Sequence, residues 1–220
     1  MMEPDPAVHM SQLLERYPPL SPVAPDLNAA FACMATAIER GRTLFVCGNG
    51  GSAADAEHMV GELGKVFLVP RTLQEDERRK LVELGDDGRY LADRLVPGFR
   101  AIALTGHPAL ATALANDVGA DIVFAQQLQV LGSPGDVLIA LSTSGNARNV
   151  ILATLVARTK GIRVVGLTGQ DGGRLRQTAD VCICVPERAT YRVQEYHLPV
   201  YHALCAMLET RFFGGAVTVR

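Results

Sequence analysis

The stretch that most constrains this chain runs from Cys47 to Glu62, CGNGGSAADAEHMVGE. The apolar run Thr43-Leu44-Phe45-Val46-Cys47 precedes it and reads as a buried strand. Gly48, Gly50 and Gly51 follow at once, and after Ser52 the residues favour helix, with Ala53, Ala54 and Ala56 all strong helix formers. The reading is strand, glycine turn, helix N-terminus. Glycines let the backbone turn sharply and leave no side chain between its N–H groups and a ligand. The free N–H groups and the dipole of a helix start favour an anion, most often phosphate, and Ser52 or Asn49 offers a further hydrogen bond. On the same helix His58 and Glu62 stand four apart, which puts an imidazole and a carboxylate on one face, one turn past the anion loop. Each alone reads equally as an ordinary surface residue. Their shared face behind the glycine loop is what points to an active site, for acid–base work or for a metal.

Bulk properties limit the alternatives. A chain of 220 residues fits one α/β domain with extra elements. Its residues are 48% hydrophobic and only 5% aromatic, so the core is expected from Leu, Val, Ile and Ala. A formal charge of -2 gives no general electrostatic case for nucleic acid or for an anionic membrane. No apolar run reaches the length of a membrane span, and the start MMEPDPAVHM is acidic and proline-bearing, unlike a signal peptide. The five cysteines form no zinc-type CxxC pair, so reduced thiols and a cytoplasmic location are expected; Cys182 and Cys184 alternate within one predicted strand.

In chain order, residues 1–41 form a helical segment, with a short helix over 7–17 and an amphipathic one over 24–40. Such helices ahead of a first strand pack either on another subunit or on their own sheet. The strand at 43–47 and the motif helix come next. Residues 67–98 are charge-rich and read as an inserted helical excursion that either flanks a site or is a solvated surface helix. Further strands are expected at 100–105, 137–141, 163–167 and 180–185, with helices at 108–115, up to about 131, at 149–159 and at 190–213, the last carrying Pro199 as a kink. Strands alternating with helices imply a parallel sheet covered on both faces. The crossover rule then brings the loops after the first and third strands to the same sheet edge.

Two motif tests narrow the chemistry. Gly48-Asn49-Gly50-Gly51-Ser52-Ala53 matches G-x-G-x-x-A, but the acidic residue that should close the next strand of a dinucleotide fold falls in the charged excursion. There is no G-x-x-x-x-G-K-[ST] loop. The second strand-to-helix loop, Ser142-Thr143-Ser144-Gly145-Asn146, gathers hydroxyl and N–H donors at a helix start, as a phosphate monoester requires or as an ordinary N-cap loop provides. The last helix carries Gln194, Glu195, His197, Tyr201 and His202, and either or neither histidine belongs to a site.

GNGGSAADAEH, LSTSGN, GLTGQDGG and RVQEYHLPVYHALC, in this order, resemble the bacterial phosphoheptose isomerase family of the sugar-isomerase (SIS) fold, over about residues 24 to 212. The resemblance implies a three-layer αβα sandwich around a five-stranded parallel sheet, one SIS domain over 1–220, assembled as a homotetramer with sites at subunit interfaces. It implies conversion of sedoheptulose 7-phosphate to glycero-manno-heptose 7-phosphate, with Glu62 and His202 as the acid–base pair. Phosphate binding carries over to Ser52, Ser142, Thr143 and Ser144, and sugar contacts to Asn49 and Gly50; the substrate site also takes in Gly51, Asn116, Asp117, Asn146 and Gln194. Zinc is implied on His58, Glu62, Gln194 and His202. The chemistry agrees: moving a proton between neighbouring carbons through an enediol needs a base, an acid and an electrophile on the oxygens. The chain departs from the family pattern at His107, where Asp is usual, at Asn146-Ala147, where GNS is usual, and at Val66, where Arg is usual and Lys65 stands beside it. Two other readings follow from the same motifs: an isomerase of another sugar phosphate, and a non-enzymatic SIS protein that binds a replication initiator. The latter relatives lack the carboxylate and final histidine that Glu62 and His202 supply here.

Overall fold

A computed structural model describes residues 5–214. Its five strands are β1 (Leu44–Cys47), β2 (Ala101–Ala103), β3 (Val137–Leu141), β4 (Arg163–Thr168) and β5 (Val181–Cys184). They form one sheet in the order β2-β1-β3-β4-β5, every pair parallel. The helices are α1 (Ala7–Arg16), α2 (Ala24–Glu39), α3 (Gly51–Gly64), α4 (Glu75–Val82), α5 (Asp86–Ala92), α6 (Pro108–Asp117), α7 (Val123–Leu131), α8 (Arg148–Thr159), α9 (Leu175–Thr178) and α10 (Thr190–Phe213).

Three layers follow from the two-residue period of the strands. Leu44, Val46, Val137, Ile139 and Leu141 face one side and pack with Leu27 and Met34 of α2, Met59 and Leu63 of α3, and Val200 and Leu204 of α10. Phe45, Cys47, Leu138 and Ala140 face the other side and pack with Phe124 and Leu128 of α7 and Val150 and Ile151 of α8. Both faces are covered, so β1 and β3 are buried along their whole length, as parallel strands require.

The N-terminal helices join the first of these cores: Met10 and Leu13 of α1 are buried in it, and α1 lies along α10. The expected domain over 1–220 includes residues 1–4 and 215–220, which lie outside the described residues. The charged excursion contains two short helices rather than one, α4 and α5 packed on each other, with Arg78 of α4 bonding the Ala92 carbonyl at 2.8 Å and Asp93 at 2.6 Å. The edge strands are shorter than expected from sequence, because β2 and β5 each have a single neighbour. Helix α6 continues through Asn116 and Asp117, which read as loop residues in the sequence. Pro199 does not interrupt α10, which runs as one helix from Thr190 to Phe213.

The segment between α3 and α4 is held from below. Glu209 of α10 is fully buried, and its carboxylate accepts the backbone N–H groups of Phe67, Leu68 and Val69 at 2.9, 2.6 and 2.9 Å. It also pairs with the buried Arg71, whose guanidinium donates on to the carbonyls of Leu63 and Pro97. Among the described residues no helix is long and apolar enough to cross a membrane.

Candidate active site

The glycine loop leaves β1 between the two faces of the sheet. A Cβ on Gly48 would sit 2.5 Å from the Ser52 carbonyl oxygen, and Gly50 turns the chain at φ +56 into α3. No other residue type satisfies both positions without strain. The first turn of α3 has no side-chain cap; its Ser52 and Ala53 N–H groups bond the Asn49 and Gly50 carbonyls, both at 3.0 Å, so the N–H groups of the glycine loop just ahead of them are the ones that face an anion. Ser52 is buried beneath the loop.

The loop after β3 stands beside it. Asn49 and Asn149 exchange a reciprocal pair of amide hydrogen bonds, 2.8 and 2.9 Å, which ties the glycine loop to the first turn of α8. Ser142 Oγ accepts the Ala147 N–H at 3.3 Å and Ser144 Oγ accepts the Asn146 N–H at 3.2 Å. Asn146 in turn donates to the Ser144 carbonyl and accepts the Arg174 N–H. Thr143, Ser144 and Asn146 line a cavity of about 230 Å³ together with Gly169, Asp171 and Arg188. Arg188 pairs with Asp171 at 3.2 Å, and Glu187 also lines that cavity, so the Arg188 charge is already matched by carboxylates.

The acid–base groups gather where α3 meets α10. His58 Nε2 lies 3.1 Å from Glu62 Oε1 and 3.5 Å from His202 Nε2. One ligand atom from each of His58, Glu62 and His202 falls within 4.8 Å of the others. Glu62 is buried, and its second oxygen takes the ammonium of Lys65. Behind the cluster the buried Tyr201 places its hydroxyl between His58 Nδ1 at 3.0 Å and Asp55 Oδ1 at 3.3 Å. Burial pushes the Tyr201 phenol up, reinforced by the Asp55 charge beside it, and burial also raises Asp55 against the opposing pull of Tyr201 and His58. His202 is held below the usual histidine range, mainly by burial and then by the neighbouring His58 and Lys65, with Glu62 pulling the other way. The Phe67 ring packs 5.5 Å from the His202 ring, so the start of the excursion flanks the cluster. His202 also opens onto a cavity of about 470 Å³ between α1 and α10, lined in part by His9, Arg16, Tyr17 and Glu195.

The residues singled out in the sequence distribute as follows. The structure brings Asn49, Gly50, Gly51 and Ser52 to the end of β1 and Ser142, Thr143, Ser144 and Asn146 to the end of β3, with the Asn49–Asn149 bonds between them. His58, Glu62 and His202 converge, whereas Gln194 lies against Gly51, with its amide 2.5 Å from where a Cβ there would stand. That contact is seven residues, or about 10 Å of helix rise, before His58. Asn116 and Asp117 close α6, exposed, bonded to each other at 2.8 Å, and among the described residues neither bonds to either loop. The segment after them does approach the second loop, through an ion pair of Asp121 with Arg148 at 2.6 Å. His107 is exposed at the N-cap of α6. The two histidines of α10 separate: His202 joins the cluster, and His197 is fully buried with no hydrogen-bond partner on either ring nitrogen among the described residues. Sequence reasoning missed Asp55 and Asn149, and it named Tyr201 on the last helix without giving it a role. Asp55 precedes His58 by about one turn, a signal that spacing on a helix does offer.

A family profile described as "SIS domain" matches residues 11–78 and 90–169. The unmatched 79–89 fall between the middle of α4 and the middle of α5, inside the excursion. A phosphoheptose isomerase of Akkermansia muciniphila is 37% identical over 203 residues, 92% of this chain and 94% of its own. One from Rhodospirillum rubrum is 40% identical over 191 residues, 86% of this chain and 88% of its own. The solved structure of phosphoheptose isomerase from Neisseria gonorrhoeae superposes with a TM-score of 0.71 at 31% identity, covering 92% of this chain and 96% of that one.

Proposed function

Since the chain belongs to the SIS-domain family, among the phosphoheptose isomerases, and is a sugar-phosphate isomerase, we propose that its substrate is sedoheptulose 7-phosphate, interconverted with D-glycero-D-manno-heptose 7-phosphate through an enediol. The observation that carries this reading is the meeting of Glu62, His58 and His202 at the α3–α10 contact, on the helix that begins in the glycine loop. The two loops bound together by Asn49 and Asn149 are the phosphate end: Ser52, Ser142, Thr143 and Ser144 supply donors, Asn49, Gly50, Gly51 and Asn146 line the approach, and clamping that end positions the reacting carbons. Asn116, Asp117 and Gln194 complete the sugar site in this reading.

Glu62 takes the proton from C1 of the ketose and returns it to C2, and His202 moves the hydroxyl proton between the two oxygens. Balanced acid and base on neighbouring atoms is what such a transfer needs. Two imidazoles and a carboxylate within 4.8 Å are a donor set that suits zinc. We read His58, Glu62 and His202 as the residues that would hold it; Gln194, which the family implies as a fourth, rests on Gly51 instead. A bound zinc ion supplies a Lewis acid for the developing enediolate charge. Tyr201 holds His58 by its Nδ1, and Lys65 holds the outer oxygen of Glu62. The same reading makes 1–220 one domain of a cytoplasmic homotetramer with its sites between subunits.

The test is direct. Purified protein is incubated with sedoheptulose 7-phosphate and the aldose product followed by NMR, with metal content measured on protein prepared without chelator. Turnover is expected, lost in Glu62→Gln and in His202→Ala while the assembly stays intact. Full activity in either variant overturns the assignment of roles. Absence of turnover from well-folded protein, against turnover of another ketose phosphate, overturns the substrate.

A further inference from the structure

We propose that Cys182 and Cys184 form an oxidisable dithiol beneath the second loop, which a hydroperoxide closes to a disulfide, so that closure displaces the Gly172–Gly173 turn and the loop Ser142–Asn146 resting on it. The two residues alternate on β5, so their side chains share one face of the strand. Their sulfurs lie 3.8 Å apart, and both residues are half-buried.

The pair is chemically distinct from the other thiols. Cys47 and Cys205 are buried in the core and burial drives both up, Cys47 to about 12. Cys33 is raised by burial as well. Cys184 alone is lowered, to about 7, chiefly through its sulfur–sulfur contact with Cys182 and then by Arg176 nearby; burial and Asp26 oppose this, and Cys182 is raised in return. A thiolate beside a protonated thiol is the arrangement in which one sulfur attacks and the other resolves. The Cys184 thiolate attacks the peroxide oxygen, the O–O bond breaks, and the leaving oxide takes a proton to depart as water or alcohol. The resulting sulfenic acid is attacked by Cys182 sulfur, the S–O bond breaks, and a second water leaves with the Cys182 proton. The two thiols are oxidised by two electrons and the peroxide is reduced by two.

Closure has a mechanical consequence. Residues two apart on a strand have Cα atoms about 6.6 Å apart, at the upper end of what a disulfide spans, and their Cβ atoms must come to about 3.8 Å. The strand must bend. Strand β5 is an edge strand, so it bends against β4 alone. Cys184 Sγ lies 3.2 Å from where a Cβ on Gly172 would stand, and Cys182 Sγ lies 3.1 Å from the same point on Gly166. The turn above the thiols is in turn seated on the serine loop. A Cβ on Gly145 would stand 2.1 Å from the Gly172 carbonyl, one on Gly173 would stand 2.5 Å from the Ser144 carbonyl, and Leu175 N–H bonds the Gly145 carbonyl at 2.9 Å. There is no slack between the sulfurs and the loop. A strained, half-exposed disulfide is also the kind that thiols reduce readily, which makes the device reversible.

The effect on substrate rests on the reading of Ser142–Asn146 as the phosphate site; the dithiol chemistry does not. Reduced full-length protein is treated with hydrogen peroxide and then alkylated, and its peptides are mapped by mass. The expected result is the loss of two hydrogens, two protected thiols, and a link between Cys182 and Cys184. KM for the sugar phosphate then rises about tenfold, the equivalent of about 1.4 kcal/mol, with kcat held, and dithiothreitol restores it. Cys184→Ser forms no link and its KM does not respond to peroxide. Folded protein that forms no 182–184 link overturns the dithiol. A link that leaves both KM and the hydrogen exchange of Ser144, Gly145 and Asn146 unchanged overturns the coupling. The exchange measurement needs no turnover, so it reads the coupling even where the reduced protein fails the isomerase assay and the functional reading falls on its own.

Discussion

Replacing Glu209 by Gln tests how the excursion is anchored beside the site. The carboxylate accepts three backbone N–H groups and a guanidinium, and both it and Arg71 are buried. The amide keeps one acceptor oxygen but presents an NH₂ group to donors and leaves the Arg71 charge without its partner. Breaking a buried pair from one side costs about 3–5 kcal/mol, and the retained oxygen puts the expected loss at about 3 kcal/mol. For a chain of this size that lowers Tm by about 6–12 °C. The pH dependence has a defined sign. Burial pushes Glu209 up, but the N–H groups of Phe67, Leu68 and Val69 together with Arg71 outweigh it and hold the carboxyl below its ordinary 4.5. The contribution is therefore fully present above 4.5 and is lost as pH falls through the lowered value of the folded protein. Thermal melts at matched protein concentration should show the gap between wild type and Glu209→Gln widest at neutral pH and closing in acid. Hydrogen exchange of the Phe67, Leu68 and Val69 amides should accelerate in the variant. A gap under about 1 kcal/mol at pH 7 with unchanged protection of those three amides would refute the reasoning.

Three further outcomes are expected. Tyr201→Phe removes the hydroxyl that orients His58, so kcat should fall about tenfold with KM little changed; steady-state kinetics showing full kcat would place Tyr201 in packing only. Asn49→Ala and Asn149→Ala should each raise KM for the sugar phosphate, and the double variant should cost less than their sum by about 1 kcal/mol; simple additivity would mean that their paired amides do not hold the loops together. His197 is buried and pushed down to about 4, chiefly by burial, and a backbone group of Thr168 near the ring opposes this without meeting hydrogen-bond geometry. Its neutral form is kept on folding, so stability is undiminished above pH 6.5 and declines as pH falls toward 4, by about 2 kcal/mol at pH 5. Urea melts at pH 7 and pH 5 should show this loss in wild type and a flatter response in His197→Leu.

Much of the fold was legible because parallel strands announce themselves as short apolar runs between glycine turns. The five strands lie where those runs are, and the errors fall at the edges, where β2 and β5 have one neighbour to define their ends. The i, i+4 pair His58 and Glu62 was legible for the same reason: a helix converts spacing into contact, here 3.1 Å. The partners that come from other elements were not. Nothing in the spacing of Tyr201 and Asp55, or of Asn49 and Asn149, says that they touch, since those contacts depend on how α10 crosses α3 and how α8 starts beside β1. Gln194 shows the same limit in reverse. Sequence order puts it on the helix of His202, yet eight residues are about 12 Å of rise, and its amide rests on Gly51 instead. The excursion read as charge and helical period, but its anchor is a single buried glutamate about 140 residues downstream, which no local pattern marks.

The strand order explains why two loops so far apart in sequence share one site. Strand β1 lies between β2 and β3, and the chain leaving β1 goes to α3 on one face, while the chain leaving β3 goes to α8 on the other. Adjacent strands whose outgoing connections part to opposite faces leave a crevice at their carboxyl ends, and that crevice is where open α/β sheets bind ligands. The glycine loop and the serine loop are its two lips. The two asparagine amides bridge them. Because α3 begins in the glycine loop and carries His58 and Glu62, Ser52 of the proposed phosphate end and Glu62 of the proposed proton-transfer end are mounted on one helix, which fixes their separation, while Ser142, Thr143, Ser144 and His202 join from other elements. A substrate of a given chain length is then measured against that helix, and a residue inserted or deleted between Ser52 and His58 would rotate His58 and Glu62 by about 100° and silence the enzyme without unfolding the sheet.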